Sequence, residues 1–274
     1  MMERPGAFWS ESLLLVLRVA LALTGGCNAS KPAVPEPALE QKTVTPKAAL
    51  HLRRVGFEKG AGPIALVLHG FGAPGDDLVP VAARLSALTP YRFVLPEAPI
   101  GLPQGGRAWW LIDFAAREQQ LARGEGLNLR NELPAGLPTA RAKIEALLQQ
   151  VGESYGVPRR QIALVGFSQG AMLSMDVLLR GAEPVACVAL LSGSFIAEKE
   201  WRPRLASRKQ VPLFMSHGEG DPVLPFATSV ELRDLLRQEG YSVRFHPFHG
   251  GHGVPLEVVH ELAAFLKTCA GAAD

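Results

Sequence analysis

The sequence predicts an α/β fold, a mostly parallel twisted sheet with helices on both faces. Three observations lead there. Short apolar runs alternate with longer segments whose apolar residues recur at spacings of three and four, and the runs are bounded by Gly, Pro or charge. Strict alternation of this kind requires βαβ crossovers, hence parallel strands covered on two sides. The segment from His51 to Phe57 reads as an edge strand, and Ile64 to Leu68, Phe93 to Leu95, Ile162 to Val165, Val185 to Leu191, Val211 to Met215 and Val243 to Phe245 read as buried ones. Helical periodicity covers Asp77 to Leu88, Thr139 to Tyr155, Gln169 to Leu179, Phe226 to Glu239 and Leu256 to Lys267; Ile144, Leu147, Leu148 and Val151 form one such stripe. Ala116 to Pro138, rich in Gly, Arg, Gln and Asn, reads as a long polar excursion over the surface, a mobile rim.

At 274 residues the chain fits one large domain as well as two. A hydrophobic share of 47% against 20% charged residues excludes disorder, collagen and a multi-span membrane protein. The net charge of +2, with no run of five like charges, leaves no electrostatic footprint for nucleic acid. Cys27, Cys187 and Cys269 are too few and too scattered for a disulfide scaffold or a C-x-x-C metal site, and Cys187 reads as a small core residue.

Leu13 to Thr24 is an apolar run of twelve broken by Arg18, about half the length that crosses a bilayer, so it reads as the core of a signal peptide. Gly25 and Gly26 lead into Cys27 in a pattern similar to the lipobox of bacterial lipoproteins, with Thr24 where that pattern usually has Leu. Residues 1–27 are therefore expected to be a signal peptide with Cys27 as the lipidated residue, giving a lipid-anchored protein of a bacterial envelope; the alternatives are a periplasmic or secreted protein cut near Ala29, or an uncleaved N-terminus. Residues 28–50, proline-rich and poor in large apolar side chains, read as a linker, and 51–270 as a single catalytic domain.

Two glycine motifs compete for the chemistry. Gly70, Gly72 and Gly75 form a G-x-G-x-x-G after a strand, the context of a dinucleotide fingerprint. Asp76 and Asp77 stand where a pyrophosphate would meet the helix, and would repel it. Gly166-Phe-Ser-Gln-Gly170 is a G-x-S-x-G between a buried strand and a helix, the setting in which a sharp turn lifts a serine hydroxyl clear of the sheet. Ser168 is thus the candidate nucleophile. A serine needs a base, and in this arrangement an acid and then a histidine follow in the chain. Asp221 and His252 each lie just past a predicted strand, with Glu219 as the rival acid. The amides of Gln169 and Phe71 are the candidate oxyanion donors, which explains the glycines of His69 to Gly72 better than a nucleotide does. His246, His249 and His252 recur every third residue, but Pro247 and the two glycines make them a strand end and turn, so no metal site is expected.

Six segments in order, L-H-G-F-G (68 to 72), P-E-A-P (96 to 99), G-G-R-A-W-W (105 to 110), G-F-S-Q-G-A (166 to 171), S-H-G-x-x-D-P-V (216 to 223) and G-G-H-G (250 to 253), resemble the phospholipase/carboxylesterase family of α/β-hydrolases, which includes the acyl-protein thioesterases. The resemblance spans roughly residues 52 to 268. It implies an α/β-hydrolase fold, a triad of Ser168, Asp221 and His252, oxyanion donation by Phe71 and Gln169, and substrate contact by Trp109 and Trp110. The family usually has an aromatic and then Asp after that first Trp, whereas here Trp110 is followed by Leu111. The expected function is hydrolysis of small-molecule carboxylic esters or thioesters through an acyl-enzyme, with no cofactor. A lysophospholipase or a depolymerase of short polyesters is the alternative within enzymes, and a non-catalytic binding protein the alternative outside them.

Overall fold

In a computed structural model of the chain the described residues are 50–123 and 129–271. The expected signal peptide, Cys27 and all but the last residue of the expected linker lie outside them. One seven-stranded sheet runs in the order β1-β3-β2-β6-β7-β8-β9. Its strands are β1 (Leu52–Val55), β2 (Ile64–Leu68), β3 (Arg92–Pro96), β6 (Ile162–Phe167), β7 (Val188–Leu191), β8 (Leu213–Gly218) and β9 (Val243–Phe248). Only β1, at one edge, is antiparallel to its neighbour. A separate hairpin joins β4 (Ile100–Gly101) to β5 (Arg107–Ala108).

Successive side chains of a strand point to opposite faces, and here both faces are dry. Ile64, Leu66 and Leu68 of β2 join one core cluster with Ile162 and Leu164 of β6, while Ala65, Val67, Ala163 and Val165 join the other. Helices α3 (Leu137–Tyr155), α4 (Gln169–Arg180) and α6 (Phe226–Gln238) cover the first face. Helices α1 (Val79–Leu88) and α7 (Leu256–Gly271) cover the second, through Ala82, Leu85, Val258, Leu262 and Leu266. The predicted stripe of Ile144, Leu147, Leu148 and Val151 is the buried side of α3. Gly156 ends that helix in the left-handed conformation at φ 63°, its N–H returning to the Gly152 carbonyl.

The chain leaves β2 for β3 on one side and leaves β6 for β7 on the other, although β2 and β6 are neighbours. This is a topological switch point, where the loops after two adjacent strands diverge and open a crevice at the carboxyl ends.

The differences from the sequence reading have local causes. Pro247 predicts an end of the last strand at Phe245, yet β9 continues to Phe248 because it is an edge strand, where a missing N–H is tolerated. The expected excursion begins inside a helix, α2 (Phe114–Ala122), whose nine residues carry only Phe114 and Leu121 as large apolar side chains. A short helix α5 (Glu198–Trp201) was also missed. Cys187 is buried as expected but is not simply a small core residue: it forms a disulfide with Cys269, 82 positions further along the chain, with Cα atoms 6.2 Å apart. The bridge ties the chain just before β7 to the last turns of α7, a pairing that sequence separation conceals.

Candidate active site

Ser168 sits between β6 and α4 at φ 54° and ψ −116°, a conformation that L-residues rarely hold. The surroundings enforce it. The Ser168 N–H donates to the Leu191 carbonyl at 2.9 Å, and the Ser168 carbonyl accepts from Ala171 at 3.0 Å. A Cβ on Gly166 would lie 2.2 Å from the Gly170 carbonyl oxygen, and one on Gly170 would lie 2.1 Å from that of Leu68. Both positions of the G-x-S-x-G motif therefore exclude a side chain. The serine also stands at the N-terminus of α4, where unpaired amides favour negative charge.

Asp221 lies in the turn after β8 and His252 in the turn after β9. The His252 Nδ1–H donates to Asp221 Oδ2 at 2.7 Å, leaving Nε2 for other chemistry. The ring of Phe167, the residue before the serine, packs 4.9 Å from the imidazole and sets it beside the elbow. The Asp221 side chain is fully buried, and its Oδ1 accepts from the N–H groups of Val223 at 2.8 Å and Leu224 at 3.0 Å. His217 Nε2 also lies 3.1 Å from Oδ2, with its hydrogen bond to the Leu224 carbonyl at 2.9 Å, so its one N–H is shared between the two acceptors. Burial works against ionisation, but the hydrogen bonds from His217 and His252, the charge of His252 and the Leu224 amide outweigh it, holding the carboxyl well below its usual range. The rival acid, Glu219, is directed elsewhere: it pairs with the exposed His249 at 2.5 Å. The three regularly spaced histidines thus do not converge, since His249 faces Glu219 and His252 faces Asp221.

The loop after β2 carries Phe71. A Cβ on Gly70 would touch the Ser168 Cβ at 3.2 Å, so the loop abuts the serine. Among the described residues, neither the Phe71 nor the Gln169 amide donates to a backbone carbonyl. Three side chains hold the loop in place. His69 is buried; its Nδ1–H donates to the Gly70 carbonyl at 2.7 Å and its Nε2 accepts from the Ala98 N–H at 2.9 Å, an arrangement that requires the neutral ring. Burial depresses its pKa, which keeps it neutral. The Arg107 guanidinium holds the carbonyls of Ala98 and Pro99, while its backbone exchanges hydrogen bonds with Gly72 and Ala73 at 2.9 Å each. Gln169 completes the brace, Oε1 accepting from the Trp109 N–H and Nε2 donating to the Trp110 carbonyl, both at 2.9 Å.

Trp109 and Trp110 are 1% and 4% exposed. The Trp109 indole N–H donates to the His69 carbonyl at 2.9 Å, so the pair underlies the Phe71 loop as a wall. The described residues of the neighbouring rim carry ion pairs that its composition did not reveal. Arg117 forks onto Glu132, and Arg130 grips Glu198 at 2.9 and 3.0 Å and Glu231 at 3.0 Å. Sequence reading assigned no role to His69, Arg107, His217 or Ser192. The first three were visible in the quoted motifs. Ser192 is marked only by its φ of 46° and by an Oγ that donates to the Gly253 carbonyl, next to His252, at 3.3 Å.

A serine elbow at a switch point, with an acid and a histidine after the last two strands of the sheet, defines an α/β-hydrolase. The model of the phospholipase/carboxylesterase family matches residues 58–270, and the chain belongs to that family. It is a hydrolase of the carboxylesterase and thioesterase type. Acyl-protein thioesterase 1 of Neurospora crassa is 30% identical over 81% of this chain and 89% of its own. That of Gibberella zeae is 30% identical over 82% and 93%. Among solved structures, esterase PE8 superposes with a TM-score of 0.65 at 29% identity, covering 76% of this chain and 93% of its own. A carboxylesterase from Mesorhizobium loti reaches a TM-score of 0.67 at 19% identity, covering 83% and 99%, and shows the fold alone.

Proposed function

We propose that Ser168, His252 and Asp221 are the catalytic triad of an esterase or thioesterase and that the Phe71 and Gln169 amides bind its oxyanion. The observation that carries this is the 2.7 Å bond from His252 to a buried, ionised Asp221, beside a serine held in a strained elbow. Ser168 Oγ attacks the acyl carbonyl while His252 Nε2 takes the hydroxyl proton; Asp221 fixes the tautomer through Nδ1 and stabilises the imidazolium. The oxyanion develops against two preorganised amides, that of Gln169 at the head of α4 and that of Phe71 on the loop after β2, each worth about 3 kcal/mol in the transition state. As the tetrahedral intermediate collapses, His252 returns the proton to the departing alcohol or thiol. Water then attacks the acyl-enzyme by the same proton path and releases the acid and Ser168. Trp109 and Trp110 form the wall behind the acyl site. The names of the fungal relatives support thioesters among the substrates.

A fluorophosphonate probe tests the assignment: it should label the wild type at Ser168 and leave Ser168→Ala unlabelled. Ser168→Ala and His252→Ala should each abolish nearly all turnover, with the double variant little worse than either, because the groups act as one unit. Ester hydrolysis by Ser168→Ala at the wild-type rate would overturn the reading.

The protein is also proposed to be exported and lipid-anchored at Cys27. Disulfides persist in oxidising compartments, so the Cys187–Cys269 bridge supports export, as does the apolar run before Cys27. No helix among the described residues is long and apolar enough to cross a membrane. Metabolic labelling with a fatty-acid analogue should tag the full chain and not Cys27→Ala; an unlabelled wild type refutes the anchor.

A further inference from the structure

We infer that His217 is a positioning residue of the hydrolase, setting the torsion and basicity of the Asp221 carboxylate and through it the orientation of His252. The inference rests on the triad reading above and goes beyond it, since a triad needs one histidine on its acid and this acid carries two.

The geometry is specific. His217 stands on β8, completely buried, with Nε2 at 3.1 Å from Asp221 Oδ2 and 2.9 Å from the Leu224 carbonyl. Both neighbours are acceptors, so Nε2 must carry the proton and donate. Its Nδ1 is buried with no partner. An unmet polar atom in the interior has a cost, and a Leu or Phe at this position would avoid it. What the imidazole supplies in exchange is an Nε2–H that bonds the Leu224 carbonyl and lies within reach of Asp221 Oδ2.

Asp221 Oδ1 is filled by two backbone N–H groups. Those bonds fix where the carboxylate sits but leave Oδ2 to be set by its own donors, His252 and His217. The His217 Nε2–H, shared with the Leu224 carbonyl, competes with His252 for the same oxygen at 3.1 Å against 2.7 Å. The ring of Phe226 packs edge-on against His217 at 6.0 Å and holds the imidazole itself.

Removing this donor has two separable effects. The carboxylate gains torsional freedom, which lowers the fraction of His252 rings aligned for proton transfer. Oδ2 also becomes a stronger acceptor, which favours the imidazolium, so more acid must be removed before His252 works as a base. The other titratable groups nearby are few. His246 lies on β9, opposite Ser216; Glu219 and His249 pair with each other; on α6, Glu231 is held by Arg130 and Asp234 by Arg233. None of these contacts is altered by a change at His217, so a shift of the pH profile reports on Asp221 and His252.

The test compares His217→Phe, His217→Gln and His217→Asn in the full chain, with kcat and KM for p-nitrophenyl acetate measured across pH. The Nε2–H of glutamine can reach the place of the imidazole Nε2–H, whereas the shorter amide of asparagine reaches only the Nδ1 position. His217→Phe should lose kcat by about 10- to 100-fold, the scale of one hydrogen bond to a charged group. Its KM should hold, and the acid limb of kcat/KM should move up by about half a pH unit. His217→Gln should recover to within a few-fold with the limb restored, and His217→Asn should not. If His217→Phe fails to fold, the Gln and Asn pair still decides. Equal activities and equal limbs for Gln and Asn would overturn the inference, as would a folded His217→Phe with wild-type kcat. Labelling of Ser168 by the fluorophosphonate probe separates these outcomes from failure of the triad reading itself.

Discussion

Replacing Cys187 and Cys269 together by alanine removes a cross-link that closes 82 residues of chain, including β7, β8, β9 and most of α7. In the chain-entropy view a bridge stabilises by restricting the unfolded ensemble, and a loop of this length corresponds to about 4.5 kcal/mol at 25 °C. Both sulfurs are buried, so the small void that alanine leaves adds to the loss. Against a typical domain stability of about 5–15 kcal/mol the change is large, and the melting temperature should fall by about 10 °C or more. Urea unfolding followed by tryptophan fluorescence measures it, and dithiothreitol should bring the wild type close to the double variant. Alkylation of the denatured protein should find two more thiols after reduction than before. Equal thiol counts, or a midpoint unmoved by both reduction and substitution, would refute the argument.

Other perturbations read other parts of the molecule. Asp221→Asn should keep the fold and lose about 10⁴ in kcat, while Glu219→Gln, aimed at the exposed His249, should cost little; the reverse result would move the acid to Glu219. Burial, aided by the neighbouring charge of Asp76, raises the Asp77 pKa to about 6, with backbone hydrogen bonds opposing. The folded state therefore binds this proton more tightly than the unfolded chain, and the group's stability contribution, complete below about pH 4, is lost as pH rises through 6. Asp77→Asn should thus flatten that part of the stability curve by about 2 kcal/mol, and an unchanged slope in urea titrations at pH 4 to 7 would contradict it. Gln169→Leu strands the Trp109 N–H and the Trp110 carbonyl, which should cost about 2–4 kcal/mol and lower kcat more than KM changes. Wild-type stability in that variant would show that the brace is dispensable.

The strands and long helices were legible because each carries its own period: β2 and β6 are apolar throughout, and α3 shows its stripe without help from context. The site was legible to the extent that its chemistry is local. The G-x-S-x-G elbow, the Asp221 turn and the His252 turn each stand at a predicted strand end. Residues that act through others left no such mark. His69, Gln169 and His217 matter through what their side chains reach, 29 residues away in the case of His69 and Ala98, and about 60 in the case of Gln169 and the two tryptophans. The Cys187–Cys269 pair failed to show for the same reason. Helix α2 was missed for a different one: its nine residues are too few to show a period, and the contacts that place it, Phe114 on Phe71 and Arg117 on Glu132, both reach outside the helix.

The divergence of the chain at β2 and β6 separates two kinds of evolutionary freedom. Segments from β3 to α3, which include the Trp109–Trp110 wall and the ion-paired rim, belong to one arm of the crossing, whereas Asp221 and His252 belong to the other. Insertions or substitutions in the first arm can reshape what enters the crevice without lengthening any path between Ser168, Asp221 and His252. The ion pairs of Arg130 with Glu198 and Glu231 are among the contacts by which the first arm reaches across to the second. Grafting a rim from a relative with other selectivity would have to carry that latch along or supply a new one, while the proton-handling half stays as it is.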